Sequence, residues 1–123
     1  MPRGFSRPQR VAEQLQRELA QLIQREVKDP RLGMVTVAAV DVSRDLSYAT
    51  VWVTFLGRDT QEEIKEALSV LADASGFLRS LLGKRIHMRH TPTLRFKYDE
   101  VQARGREMTS LIKEARKRDS DND

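Results

Sequence analysis

Apolar residues recur along this chain with two periods, and the points where one gives way to the other mark its elements. Val11, Leu15, Leu19, Leu22, Ile23 and Val27 fall at helical spacing, one stripe down to about Lys28. Ser6-Arg7-Pro8-Gln9 predicts the start of that helix: a serine to accept from free amides, a proline in the first turn, and a glutamine completing a capping box. Asp29-Pro30 predicts its end, because the residue before proline avoids the α region; Gly33 supports a turn there. The period then drops to two. MVTVAAVDV is β-branched, but its alternation slips at Ala38-Ala39, which predicts a bulge or twist. SYATVWVTF alternates cleanly, with Ala49, Val51, Val53 and Phe55 on one face and Tyr48, Thr50, Trp52 and Thr54 on the other. The short polar stretch Ser43-Arg44-Asp45-Leu46 between them reads as a hairpin loop.

Thr60-Gln61-Glu62-Glu63 is a second capping box, opening a helix with Ile64, Ala67, Leu68, Leu71 and Ala74 on its buried face. Ser75-Gly76 interrupts it, yet Leu78, Leu81 and Leu82 continue the stripe in nearly the same phase. That pattern predicts a kinked helix, or two helices packed on one sheet. Leu94, Phe96 and Tyr98 alternate with Arg95 and Lys97, a third strand running from about Arg85 or Thr93 to Asp99, which Pro92 interrupts or confines to an edge. Val101, Met108, Leu111, Ile112 and Ala115 give a weaker helical pattern containing Gly105, and KEARKRDSDND reads as a disordered tail. No internal repeat is present. The predicted fold is an α+β domain of α-β-β-α-kink-α-β order, with helices over one face of a three-stranded sheet. Its expected divisions are a flexible N-terminus (1–5), the domain (6–100), a C-terminal helix (101–116) and a tail (117–123).

Composition narrows the function classes. At 123 residues, 39% of them apolar, the chain has enough Val, Leu and Ile for one core. No apolar run nears the ~20 residues that span a bilayer, and MPRGFSRPQR has no hydrophobic run after its charges, which argues against secretion. With no cysteine there is no disulfide, thiolate nucleophile or sulfur-based zinc site, consistent with a reducing cytoplasm. Net charge is only +4, but its distribution is uneven. From Ala74 to Tyr98 stand six bases (Arg79, Lys84, Arg85, Arg89, Arg95, Lys97) and no acid; elsewhere acids outnumber bases. Arg3, Arg7 and Arg10 form a second acid-free patch. Two such patches point to an anionic partner.

In order and spacing, several motifs resemble the ribosome-binding factor A family. They are VKDPRLG at the end of the first helix, the hairpin VDVSRDLSYATVWVTF, Ala74-Ser75-Gly76 in the second helical segment, and TPTLRFKYDE followed by a helix with Gly105 and Leu111-Ile112. The resemblance covers roughly Ser6 to Ile112. It implies a KH-like fold in which a helix-kink-helix centred on Ala-X-Gly, here Ala74-Ser75-Gly76, replaces the nucleotide-clamping GXXG loop of ordinary KH modules. It further implies a non-enzymatic, cytoplasmic assembly factor that binds the free or immature 30S subunit, helps mature the 5′ end of 16S rRNA and supports growth in the cold. No cofactor, membrane or small-molecule substrate is implied, and the expected state off the ribosome is a monomer.

The expected RNA-binding residues are therefore Arg3, Arg7, Arg10, Ser75, Gly76, Arg79, Lys84, Arg85, Arg89, Arg95 and Lys97. Gly76 has two compatible roles: letting the helix bend over the sheet, and letting an RNA backbone approach amides freed at a second helix start. Trp52 is suited to stacking on a base or to cross-strand packing against Tyr48 or a residue of the MVTVAAVDV strand. His87 and His90 lack a third metal ligand, which leaves them partial protonation near a phosphate. Asp41, Asp45 and Asp99 read as turn and strand-end residues rather than a magnesium site. Two rival classes are a nuclease, which needs converging carboxylates or a histidine pair, and a protein-interaction module whose basic face meets an acidic partner.

Overall fold

The computed structural model describes residues 6–104, which form one sheet and the helices packed on it. Helix α1 spans Arg7–Glu26, strand β1 Met34–Val42, β2 Tyr48–Leu56, helix α2 Gln61–Arg85 and β3 Thr93–Tyr98, with a 3₁₀ turn at Pro30–Leu32. Both capping boxes form. The Ser6 hydroxyl accepts from the Gln9 amide and the Ser6 amide donates to the Gln9 side chain, while Thr60 and Glu63 repeat the exchange at α2. The predicted third strand starts just after Pro92 and lies at a sheet edge. Residues 1–5 and 105–123 lie outside the described part; of the expected C-terminal helix, 101–104 are helical.

β1 pairs antiparallel with β2, and β3 pairs parallel with β2, in the order β1-β2-β3. A parallel neighbour needs a crossover connection, which α2 supplies. Leu15, Leu19, Leu22 and Ile23 of α1, and Ala67, Leu71, Leu78 and Leu82 of α2, join Ala49, Val51, Val53 and Leu94 in one buried cluster. The helices thus cover the sheet face that carries the apolar parity. The opposite parity places Tyr48, Thr50 and Trp52 beside Thr93, Arg95 and Lys97 in register on the other face.

The expected bulge is present, as a register shift between Val37 and Ala39. Gln16 of α1 donates its side-chain amide to the carbonyls of Val37 and Ala38, both at 3.2 Å, so the irregular backbone is satisfied from the helix. Gly33 turns the chain into β1 with φ 63°, and a Cβ there would lie 2.8 Å from the Leu56 carbonyl, so both conformation and space require glycine.

The helix across Ser75-Gly76 is one element rather than two. α2 runs without interruption from Gln61 to Arg85. The Ser75 hydroxyl donates to the Ala72 carbonyl at 2.7 Å, a back-bond that keeps a serine inside a helix instead of capping a new one. There is consequently no second helix start at Gly76 and no set of freed amides for a phosphate, which corrects that part of the expectation.

Candidate nucleic-acid interface

Two hollows of about 340 and 500 Å³ adjoin along the side of α2 and share Arg79, Arg89, His90 and Thr91. The first follows α2 past Gly76, Ser80 and Gly83; the second continues to Arg7, to Leu46 and Ser47 of the hairpin loop, and to Tyr48. Together they make a groove with a helix as one wall and the segment before β3 as the other. Local chemistry builds it. Arg79 Nε donates to the Thr91 carbonyl at 2.8 Å and holds that segment against the helix. Gly83 permits the approach, since a Cβ there would come within 3.1 Å of Thr91 Oγ1. Gly76 differs: its missing Cβ faces open space, with no atom within 4 Å.

The expected binding residues are divided among several places. Arg7, Arg79 and Arg89 meet in the groove, and Gly76 lines its far end. Arg79 spends one donor on Thr91 but has others to offer an anion. Arg10 is exposed in the first turns of α1, and Lys84 is exposed in the last turn of α2. Ser75 is half-buried and committed to its back-bond. Arg85 is engaged elsewhere, paired with Glu18 of α1 at 2.9 Å with Gln21 at 3.4 Å, so it ties the two helices together. Arg3 lies outside the described residues.

Arg95 and Lys97 occupy the other face of the sheet. The Arg95 guanidinium carbon lies 4.1 Å from the centre of the Tyr48 ring, and the Lys97 ammonium 5.7 Å from that of Trp52. The Trp52 indole N–H donates to Asp41 of β1 at 3.2 Å, so the cross-strand reading of Trp52 holds with a β1 carboxylate as the partner. The six bases that are continuous in sequence thus do not form one surface. They split between a groove beside α2, the end of α2 and the open sheet face, with Tyr48 touching both groove and face.

One acid also lines the groove. Asp45 accepts from the Ser47 hydroxyl at 2.6 Å, the Ser43 hydroxyl at 2.8 Å and the Ser47 amide at 3.1 Å. These bonds, led by the Ser47 hydroxyl, lower its pKa to about 2, so it stays ionised. Its charge is held by the loop it organises, where Leu46 adopts φ 62°, a left-handed conformation uncommon for a branched side chain. Asp41 bonds to Trp52, and Asp99 accepts from the Gln102 amide at the start of residues 100–104. The three aspartates thus have separate structural partners. Among the described residues, no three His, Cys, Asp or Glu side chains gather where they could hold a metal ion.

Sequence reasoning left Gly83, Thr91 and Tyr48 out of the site, and gave His90 only a minor part. Gly83 sits in the acid-free run, but its purpose depends on Thr91, which only the fold brings beside it. Tyr48 carried a legible signal: it begins the exposed parity of β2, the same parity as Trp52.

Comparison with known proteins bears on this geometry. The model of the family "Ribosome-binding factor A" matches residues 7–112. The factor from Chromohalobacter salexigens is 59% identical over 113 residues, 92% of this chain and 86% of that protein. The crystal structure of ribosome-binding factor A from Thermus thermophilus is 34% identical and superposes with a TM-score of 0.66, covering 76% of this chain and 97% of that one. A homology model of the Thermus thermophilus factor, fitted into a cryo-EM map of its complex with the 30S subunit, is 38% identical with a TM-score of 0.60 over 70% of this chain and 88% of that one.

Proposed function

The chain belongs to the ribosome-binding factor A family, and we propose that it is a non-enzymatic assembly factor of the small ribosomal subunit. It binds the free or immature 30S particle, contacts 16S rRNA, and is required for efficient maturation of the 5′ end of that RNA and for growth in the cold. It acts in the cytoplasm as a monomer off the ribosome; among the described residues no helix is long and apolar enough to cross a membrane.

The observation that carries this reading is the family match together with the groove that Arg7, Arg79 and Arg89 line, with Gly76 at its far end. Side chains of this kind suit phosphate contact, while the hydrogen bonds and ion pairs of the domain hold the wall they stand on. Binding of this kind favours one local rRNA arrangement over another by differential affinity, without covalent chemistry. The 30S complex of the Thermus relative supports the same partner for this chain.

Cosedimentation tests the proposal. The protein should pellet with free small subunits and be depleted from mature ribosomes and polysomes. Arg89→Glu, in a segment where that exposed side chain has no ion pair among the described residues, should abolish pelleting without lowering the melting temperature. Unchanged pelleting of a folded Arg89→Glu protein refutes the groove as the contact; equal pelleting with every ribosomal fraction refutes the assembly role.

A further inference from the structure

We propose that the open face of the sheet is a second RNA contact, a platform on which Tyr48 and Trp52 each receive an unpaired base of single-stranded RNA while Arg95 and Lys97 take the adjoining phosphates. This rests on the reading above that the chain binds rRNA, and adds a surface and a nucleic-acid form to it.

Tyr48 and Trp52 share the parity of β2 that faces away from the helices, and Tyr48 keeps 43% of its surface exposed. They stand four strand residues apart, about 13 Å at the usual strand rise, far enough for each ring to hold its own base with Thr50 between. The bond from the Trp52 indole to Asp41 fixes that ring while occupying the acid on this side of β1. Arg95 and Lys97, one over each ring, supply the complementary charge.

In this conformation the cations cover the rings, so a base must displace them. A base stacked on an exposed ring strengthens binding roughly fivefold to a hundredfold, more than an exposed cation over the same ring contributes. Both cations are on exposed, flexible stems, and a displaced guanidinium or ammonium is then available to a phosphate. Tyr48 also lines the groove, so a strand leaving Arg89 and His90 meets the first ring directly. Paired RNA hides its base faces and cannot use the platform. Thr50 between the rings and Thr93 opposite Tyr48 offer little to an apolar protein partner.

Trp52 is the sole tryptophan of the chain, so its fluorescence reports on the platform alone. Titrating the full-length protein with a short unstructured RNA strand should quench it saturably, and a hairpin duplex of equal length should not. Tyr48→Ala, and Trp52→Leu followed by the anisotropy of labelled RNA, should each weaken single-strand binding roughly fivefold to a hundredfold, whereas Tyr48→Phe should retain it. Thermal melts check that the variants are folded, and Arg95→Gln provides a conservative second variant. Absence of quenching, with small-subunit pelleting intact in the wild type and lost in Arg89→Glu, overturns the platform and leaves the assembly role standing. Failure of the wild type to pellet overturns both. A quench equal for duplex and single strand, or one produced by ribosomal protein after ribonuclease treatment, also overturns it.

Discussion

At the scale of single residues, Gly76 separates folding from binding. A glycine inside a helix costs about 0.5–1 kcal/mol relative to alanine, and here no neighbour demands it, because the space where a side chain would stand is empty. Gly76→Ala should therefore raise stability by about that amount in chemical denaturation. Gly76→Leu, which keeps good helix propensity, should fold at least as well as the wild type but lose subunit affinity, since its side chain projects into the groove. If Gly76→Leu binds as well as the parent, no RNA backbone approaches there. That Gly76 was a feature of interest was legible from the sequence. That it is open rather than crowded was not, because the distinction from Gly83 lies in Thr91, which is remote in sequence.

Elements governed by local rules were legible, and those decided by distant contacts were not. The two caps and the bulge at Ala38-Ala39 follow from a few adjacent residues, so the sequence displayed them, whereas α1 ends at Glu26, short of the expected stop, and Asp29-Pro30 instead opens the 3₁₀ turn. The parallel placement of β3 depends on how α2 crosses the sheet, and α2 runs unbroken through Ser75-Gly76, where the Ser75 hydroxyl bonds back to Ala72. Arg85 belongs with these. It looked like one more base of an RNA-facing run, but Glu18, 67 residues away in sequence, claims it. Partly exposed pairs of this kind contribute about 0.2–1 kcal/mol. Arg85→Glu should lower stability by more than that range, because it sets two carboxylates against each other. Adding Glu18→Arg should restore much of the loss in a double-mutant cycle. Should the double variant melt no higher than Arg85→Glu alone, the pair does not hold α1 to α2.

Over the whole molecule, the division of the bases controls how binding responds to salt. A continuous surface of about six phosphate contacts would lose on the order of a thousandfold in affinity between 50 and 200 mM salt. The fold instead sends Arg7, Arg79 and Arg89 to the groove, Arg95 and Lys97 to the opposite face, and Arg85 to a partly exposed ion pair with Glu18. Charge-neutral variants should therefore fall into classes when affinity is plotted against salt on logarithmic axes. Arg89→Gln should make the slope for 30S binding shallower by about 1. Arg85→Gln should leave the slope unchanged, whatever it does to stability, because no counterion is released at an arginine already neutralised by Glu18. Lys97→Gln should flatten the slope for unstructured RNA and leave that for duplex RNA as it was, since only the single strand reaches the open face. Equal slope changes for Arg85→Gln and Arg89→Gln would mean that RNA binding breaks the Arg85–Glu18 pair, so that α1 and α2 are no longer tied at that point on the ribosome.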